Sequence, residues 1–281
     1  MHGSGLALAS LSLAAAALNA AAKQTLCRVN PSGLSLQPLR QLQHFFLKRD
    51  DLLELSLGTS GAVLSGNKAR KFKSLVNTLH GHRGGQIDCV FSIGGNNSNA
   101  MLALSKICFA NQLPFTYYTR DLPPALLSAL QGDSVDKGAV SNLSIASKVY
   151  KASIVSLDFP SYSSTMLQLE AEAAEQAVRP VGGRLVIARG GSDESAREGL
   201  AELALELLTE LAQMQLQEPL IKKWVVAVAS GTGATAYYCH VEMRRLTRAL
   251  PDLAGDVTVL ALPCVGSSAY LTQQVALTIA L

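Results

Sequence analysis

The chain has 281 residues, 48% hydrophobic and 16% charged, which excludes an intrinsically disordered protein and leaves enough apolar surface for a two-domain core. Its net charge of +3 is spread along the sequence without a polybasic block, so nucleic acid and anionic membrane surfaces are not the expected partners. The five cysteines are far apart, with no C-x-x-C pair, and they read as reduced thiols in an intracellular protein.

From Met1 to Arg49 there is no Asp or Glu, while Ala, Ser and Leu dominate. That bias predicts a transit peptide or a disordered tail over residues 1–40, and with it a mitochondrial or plastid location, the cytoplasm being the alternative. His80 and His82 flank Gly81 and read as part of a polar loop, and no metal site is expected.

Next comes "AVLSGNKARKF", 62 to 72, with Lys68 after a small S-G-N turn. Taken alone it is one cation among four, and Arg70, Lys71 and Lys73 are expected to face solvent or pair locally. Beyond it, short apolar runs at 87–93, 115–118, 152–157, 184–189, 224–229 and 257–262 predict buried strands. Helices are predicted over 98–110, 164–178, 194–217 and 234–249. Strand followed by helix, repeated, predicts an α/β fold of mainly parallel sheets covered by helices on both faces. Linkers such as "RDLPPA" (120–125) punctuate these elements, and after the last strand "PCVGSSAYLTQQVALTIAL" opens another turn and helix.

Three glycine-rich turns link strand to helix. "SIGGNNSNAMLAL" (92–104) places Ser98 and Asn99 at a helix start, where Ser98 caps the helix or where the open N–H groups hold an anion. "ARGGSDESAREGL" (188–200) reads as a capped turn, with Ser192 and Asp193 at the cap. "VAVASGTGATAYY" (226–238) runs Ser230, Gly231, Thr232, Gly233, Ala234, Thr235 into a helix, a turn able to close round a phosphate. Neither G-x-G-x-x-G nor a Walker motif is present. A nucleotide-binding oxidoreductase would also leave Lys68 without a task.

A lysine behind a small turn, a polar helix start suited to a carboxylate and a phosphate-cradle turn are together the parts of a pyridoxal-phosphate enzyme. In order and spacing, "SGNKARKF", "SIGGNNSNAMLALS", "ARGGSDESAREGLAEL" and "VVAVASGTGATAYY" resemble the 1-aminocyclopropane-1-carboxylate deaminase and D-cysteine desulfhydrase family. The resemblance runs from about Phe45 to the end. It implies a two-domain, tryptophan-synthase-β-like architecture (pyridoxal-phosphate fold type II) whose C-terminal part is missing. A large domain would be built from 41–73 plus 180–281, and a small domain from 74–179. It further implies pyridoxal 5′-phosphate as cofactor, Lys68 as the lysine that carries it, with Asn67 and Asn99 beside it, and Ser230 to Thr235 as its phosphate loop. Ser98 becomes the catalytic serine, with Asn97, Ser98 and Asn99 as the substrate-carboxylate segment. The implied reaction is breakdown of a small amino acid, D-cysteine or the cyclopropane amino acid, by a homodimer or higher homo-oligomer. Two positions depart from the family: Asn97 replaces a usual glutamine, and Ala100 a glutamine or histidine. The competing reading is a non-catalytic relative that keeps the fold as a binding protein.

Overall fold

In the computed structural model the described residues are 27–29, 45–58, 61–80, 87–131, 141–176, 181–221, 223–249 and 256–280. Most of the expected 1–40 tail lies outside them, as does His82. Within that tail, however, β1 (Cys27–Val29) pairs antiparallel with β2 (Phe45–Leu47). A second antiparallel ribbon joins β3 (Glu54–Ser56) to β4 (Val63–Ser65). It leads through Gly66 into two short helices, α1 (Asn67–Lys71) and α2 (Lys73–His80). His80 therefore ends a helix, where a polar loop was expected.

The next elements alternate strand and helix: β5 (Cys89–Ile93), α3 (Asn99–Ala110), β6 (Phe115–Arg120), α4 (Pro124–Gln131), β7 (Ser153–Leu157), α5 (Phe159–Gln176) and β8 (Arg184–Ile187). Pro124, read in the sequence as part of a linker, is instead the first residue of α4, where its missing N–H costs nothing. The four strands form one parallel sheet in the order β7-β6-β5-β8. Strand β8 lies past the expected boundary at 180, yet it hydrogen-bonds to β5. Successive residues of β8 serve opposite faces. Leu185 and Ile187 join α2 and α3 in a core with Leu75, Met101, Leu104 and Ile107. Val186 and Ala188 instead meet Leu169 and Ala173 of α5 on the other side.

The rest of the chain supplies α6 (Arg197–Gln217), β9 (Lys223–Ser230), α7 (Ala234–Ala249), β10 (Asp256–Pro263) and α8 (Ser268–Ala280). The leucine stripe of α6, with Leu200, Leu203, Leu207 and Leu208 buried, packs on Tyr238, Cys239 and Met243 of α7 and on Val226, Val257 and Val259 of the strands. Strands β9 and β10 pair in parallel, Trp224 opposite Val257 and Val226 opposite Val259. The expectation of sheets covered on both faces holds for the four-stranded sheet and fails here. The alternate residues of the same strands point away from α6 and α7, leaving Val225 63%, Leu260 48% and Leu262 44% exposed. Among the described residues Cys89, Cys108, Cys239 and Cys264 are free thiols, and no helix is long and apolar enough to cross a membrane.

Candidate active site

Helix α1 presents two faces. Lys68 and Lys71, three residues apart, share one side, and both amines donate to the carbonyl of Gly190, at 3.3 and 3.2 Å. Arg70 points the other way and is 2% exposed. Its guanidinium donates to Asp50, at 2.8 Å from both Nε and Nη2. It also reaches Glu206 of α6, at 3.1 and 2.8 Å. Lys48 adds salt bridges of 2.9 Å to both Glu206 and Glu210, and Lys73 pairs with Glu202 of the same helix. The solvated-face reading of Arg70, Lys71 and Lys73 is thus corrected. Apart from Asp50, which lies upstream of Arg70, the groups that answer them (Glu206, Glu202 and the Gly190 carbonyl) lie more than a hundred residues downstream, out of reach of any local pattern. Burial lowers the Lys68 amine from 10.5 to about 8. Burial, and then the charge of Lys68, hold Lys71 well below the ordinary lysine range, opposed in part by Asp193.

The turn that carries Gly190 is held by a buried carboxylate. Asp193 accepts from the N–H of Ala188 at 3.0 Å and of Ser195 at 3.1 Å, and the Ser195 hydroxyl also donates to it. Asp193 caps the short 3-10 turn Glu194–Ala196 that leads into α6, whereas α6 itself starts from Ala196 without a side-chain cap. Ser192 does not cap: its hydroxyl donates to the Arg189 carbonyl at 2.9 Å. Gly190 adopts φ +73°, and a Cβ there would strike the methyl of Thr232.

Ser98 is the N-cap of α3, its Oγ accepting from the N–H groups of Ala100 and Met101, each at 3.2 Å. The two N–H groups occupy the acceptor side of the hydroxyl, and Ser98 is also hydrogen-bonded to the buried Tyr117 phenol. Asn142, unremarked in the sequence, donates to the Asn97 carbonyl at 3.1 Å and to Asn99 Oδ1 at 2.9 Å. It clamps the segment from outside.

Opposite stands the strand-to-helix turn of β9 and α7. The first N–H groups of α7 have no intrahelical acceptor and carry the positive end of the helix dipole. Gly233 turns with φ +81°, and a Cβ there would strike Val275 of α8. The Ser230 hydroxyl donates to its own strand at Val228 (2.9 Å), so this side chain shapes the turn. Thr235 Oγ1 donates to Asn67 Oδ1 at 3.2 Å, joining the lysine helix to the cradle.

All the candidate residues line one cleft of about 770 Å³: Asn67, Lys68, Asn97, Ser98, Asn99, and Ser230 to Thr235. The cleft also takes in Lys71, Lys106, Tyr150 and Cys264, which the sequence reading did not assign, and none of its described lining residues is an Asp or Glu. No cluster of three or more metal-ligating side chains occurs among the described residues.

Fold and cleft together define an α/β protein with a lysine-centred cleft that has no Asp or Glu among its described lining residues and faces a helix N-terminus. No family model matches the chain, and no curated protein matches it. Solved structures similar to it include an ACC deaminase homologue (20% identity, TM-score 0.49, covering 84% of this chain and 62% of that one). A second is the processed form of threonine deaminase isoform 2 from Solanum lycopersicum (12% identity, TM-score 0.48, covering 95% and 63%). A third is a hydrogen sulfide-producing enzyme from Fusobacterium nucleatum (10% identity, TM-score 0.45, covering 90% and 68%). The chain thus spans 62% of the length of the first of these.

Proposed function

We propose that the protein binds pyridoxal 5′-phosphate at Lys68 and uses it to break down a small amino acid. D-cysteine (with water, to pyruvate, ammonia and hydrogen sulfide) or 1-aminocyclopropane-1-carboxylate (with water, to 2-oxobutyrate and ammonia) is the first substrate to test. The observation that carries this reading is the convergence on one cleft of a partly neutral lysine, a cradle at a helix start and a capped serine segment. The reading also places the cleft between a small unit centred on the four-stranded sheet and a larger unit containing β9 and β10.

The residues present fit the cofactor. A lysine whose amine is lowered to about 8 by burial is partly unprotonated near neutral pH, as attack on an aldehyde requires. A lining that holds Lys68 and Lys71 and no described Asp or Glu suits a phosphate dianion. The N–H groups at the start of α7, with the backbone of Gly231 to Ala234, would hold that phosphate. Asn67 and Asn99 would flank the ring. When bound, the cofactor supplies an electron sink for the bond broken at the substrate's Cα.

The remaining roles belong to the chain. The N–H dipoles and side-chain amides of Asn97, Ser98 and Asn99 would orient the substrate carboxylate. Lys68 Nζ, within reach of the Gly190 carbonyl, would be placed to hold a proton and move it to and from the substrate carbon. Ser98 Oγ would donate at the reacting end by exchanging its bond to Tyr117 for one to the substrate.

Purified protein incubated with pyridoxal phosphate should gain visible absorbance, and borohydride should then fix a pyridoxyl group on the Lys68 peptide. Lys68→Ala should do neither. Ammonia and sulfide release from D-cysteine, or 2-oxobutyrate from the cyclopropane amino acid, would establish the activity. Absorbance without turnover would favour a non-catalytic binding protein, and no absorbance would sink the cofactor assignment.

A further inference from the structure

The three lysines of the cleft are not equivalent. Lys68 and Lys71 both address the Gly190 carbonyl, whereas Lys106 lines the same cleft and makes no ion pair or hydrogen bond among the described residues. It sits on α3 in register with the substrate segment: Asn99, Leu102, Ala103 and Lys106 all line the cleft, a stripe at helical spacing. Seven residues of helix separate Lys106 from Asn99, about 10 Å along the axis. Its Cα–Cβ bond leans toward the helix N-terminus, so the flexible four-carbon stem can carry the ammonium back toward Ser98 and Asn99. Tyr150 also lines the cleft, and its ring packs on Phe109, one turn beyond Lys106, with centroids 5.9 Å apart.

We infer that Lys106, assisted by the Tyr150 hydroxyl, is a second anion subsite that takes the side-chain carboxylate of an acidic amino acid whose α-carboxylate sits at Asn97 to Asn99. The inference rests on the function proposed above, because it uses that placement of the α-carboxylate. Geometry and charge both favour it. With the lysine stem folded back to close part of the ~10 Å rise, one carboxylate at the start of α3 and a second farther along the same helix face can be the two ends of one acidic amino acid, glutamate more readily than aspartate. A charge-assisted bond to the otherwise unpaired ammonium is stronger than a neutral one. A neutral isostere would leave that cation unanswered.

Ligand-observed NMR or calorimetry on the purified protein, with and without pyridoxal phosphate, would compare both enantiomers of glutamate and aspartate with glutamine and asparagine. In the unmodified protein the acids should bind about tenfold tighter than their amides, which corresponds to about 1.4 kcal/mol. Lys106→Met should erase that preference while leaving alanine binding and the circular dichroism spectrum unchanged, and Tyr150→Phe should reduce it in part. Equal affinity for acid and amide in the unmodified protein, no binding of either, or a preference that survives in Lys106→Met would overturn the subsite. The cofactor reading fails separately, through the absence of visible absorbance with pyridoxal phosphate. Absorbance without acid preference removes the subsite alone, and acid preference without absorbance removes the cofactor alone.

Discussion

Lys68 and Lys71 donate to a single acceptor, the carbonyl oxygen of Gly190, at 3.3 and 3.2 Å. Two ammonium groups cannot share one neutral carbonyl without repulsion, and burial disfavours both charges. The turn around Gly190 thereby does two jobs. It aims the lysines into the cleft, and it keeps at least one amine inclined to lose its proton.

Removing one of these lysines should therefore stabilise the cofactor-free protein. The Lys68 amine falls from 10.5 to about 8 in the fold, so the unfolded chain holds more protons between those values and stability rises with pH across that window. Below pH 8 the cost is fully present. Lys68→Met should raise unfolding stability at pH 7 by ~1–2 kcal/mol, discounted because the side chain is only half-buried. The gain should vanish near pH 10.5, where the amine is neutral in both states. Urea titrations at the two pH values decide it. A destabilised variant at pH 7 would mean that the amine is better solvated than the geometry indicates.

Arg70 predicts the opposite sign. Its two carboxylate partners, Asp50 and Glu206, lie in a half-buried site, and removing the guanidinium leaves both facing each other. Arg70→Met should cost about 3–5 kcal/mol at pH 7. Burial alone would raise the Glu206 carboxyl, but the bonds from Arg70 and Lys48 outweigh it and hold the group below its ordinary value. This contribution is present above the unfolded carboxylate value and is lost as pH falls through the folded one. The deficit of the variant should therefore shrink below about pH 4, as denaturant midpoints at the two pH values would show.

Gly199 stands in the first turns of α6, where alanine would ordinarily favour the helix by about 1 kcal/mol. Here a Cβ would collide with the Arg70 carbonyl, a backbone atom that cannot swing aside. Gly199→Ala should destabilise by ~1–3 kcal/mol. It should also slow pyridoxyl fixation on Lys68, because α1 must shift to make room. Unchanged thermal stability and unchanged labelling would show that the two helices have slack.

These sites mark how far the sequence could be read. The six strand runs and the main helices were legible because period and turn chemistry are local. That Lys68, Ser98 and the Ser230 to Thr235 turn would meet in one cleft was legible because their order carried a resemblance. The roles of Arg70 and Lys71 were not, since their partners Glu206 and Gly190 are 136 and 119 residues away. The open face of β9 and β10 was hidden for another reason. Val225, Leu260 and Leu262 are as apolar as the residues beneath them, so the runs lacked the alternation that would have betrayed an exposed side.

Asn142 had no sequence signal at all, yet it bridges Asn97 and Asn99 from 45 and 43 residues away. Both bonds are solvent-exposed, so their loss should leave global stability almost unchanged while freeing the segment proposed to hold the substrate carboxylate. Losing about 1 kcal/mol of restraint corresponds to roughly fivefold weaker substrate binding. Asn142→Ala should thus raise KM for the amino acid about fivefold, with kcat and thermal midpoint little altered. Equal falls in kcat and stability would show instead that Asn142 supports the fold and not the carboxylate site. Asn142→Asp should weaken binding further. A carboxylate there cannot donate to the Asn97 carbonyl or to Asn99 Oδ1, and its charge would oppose the substrate's own.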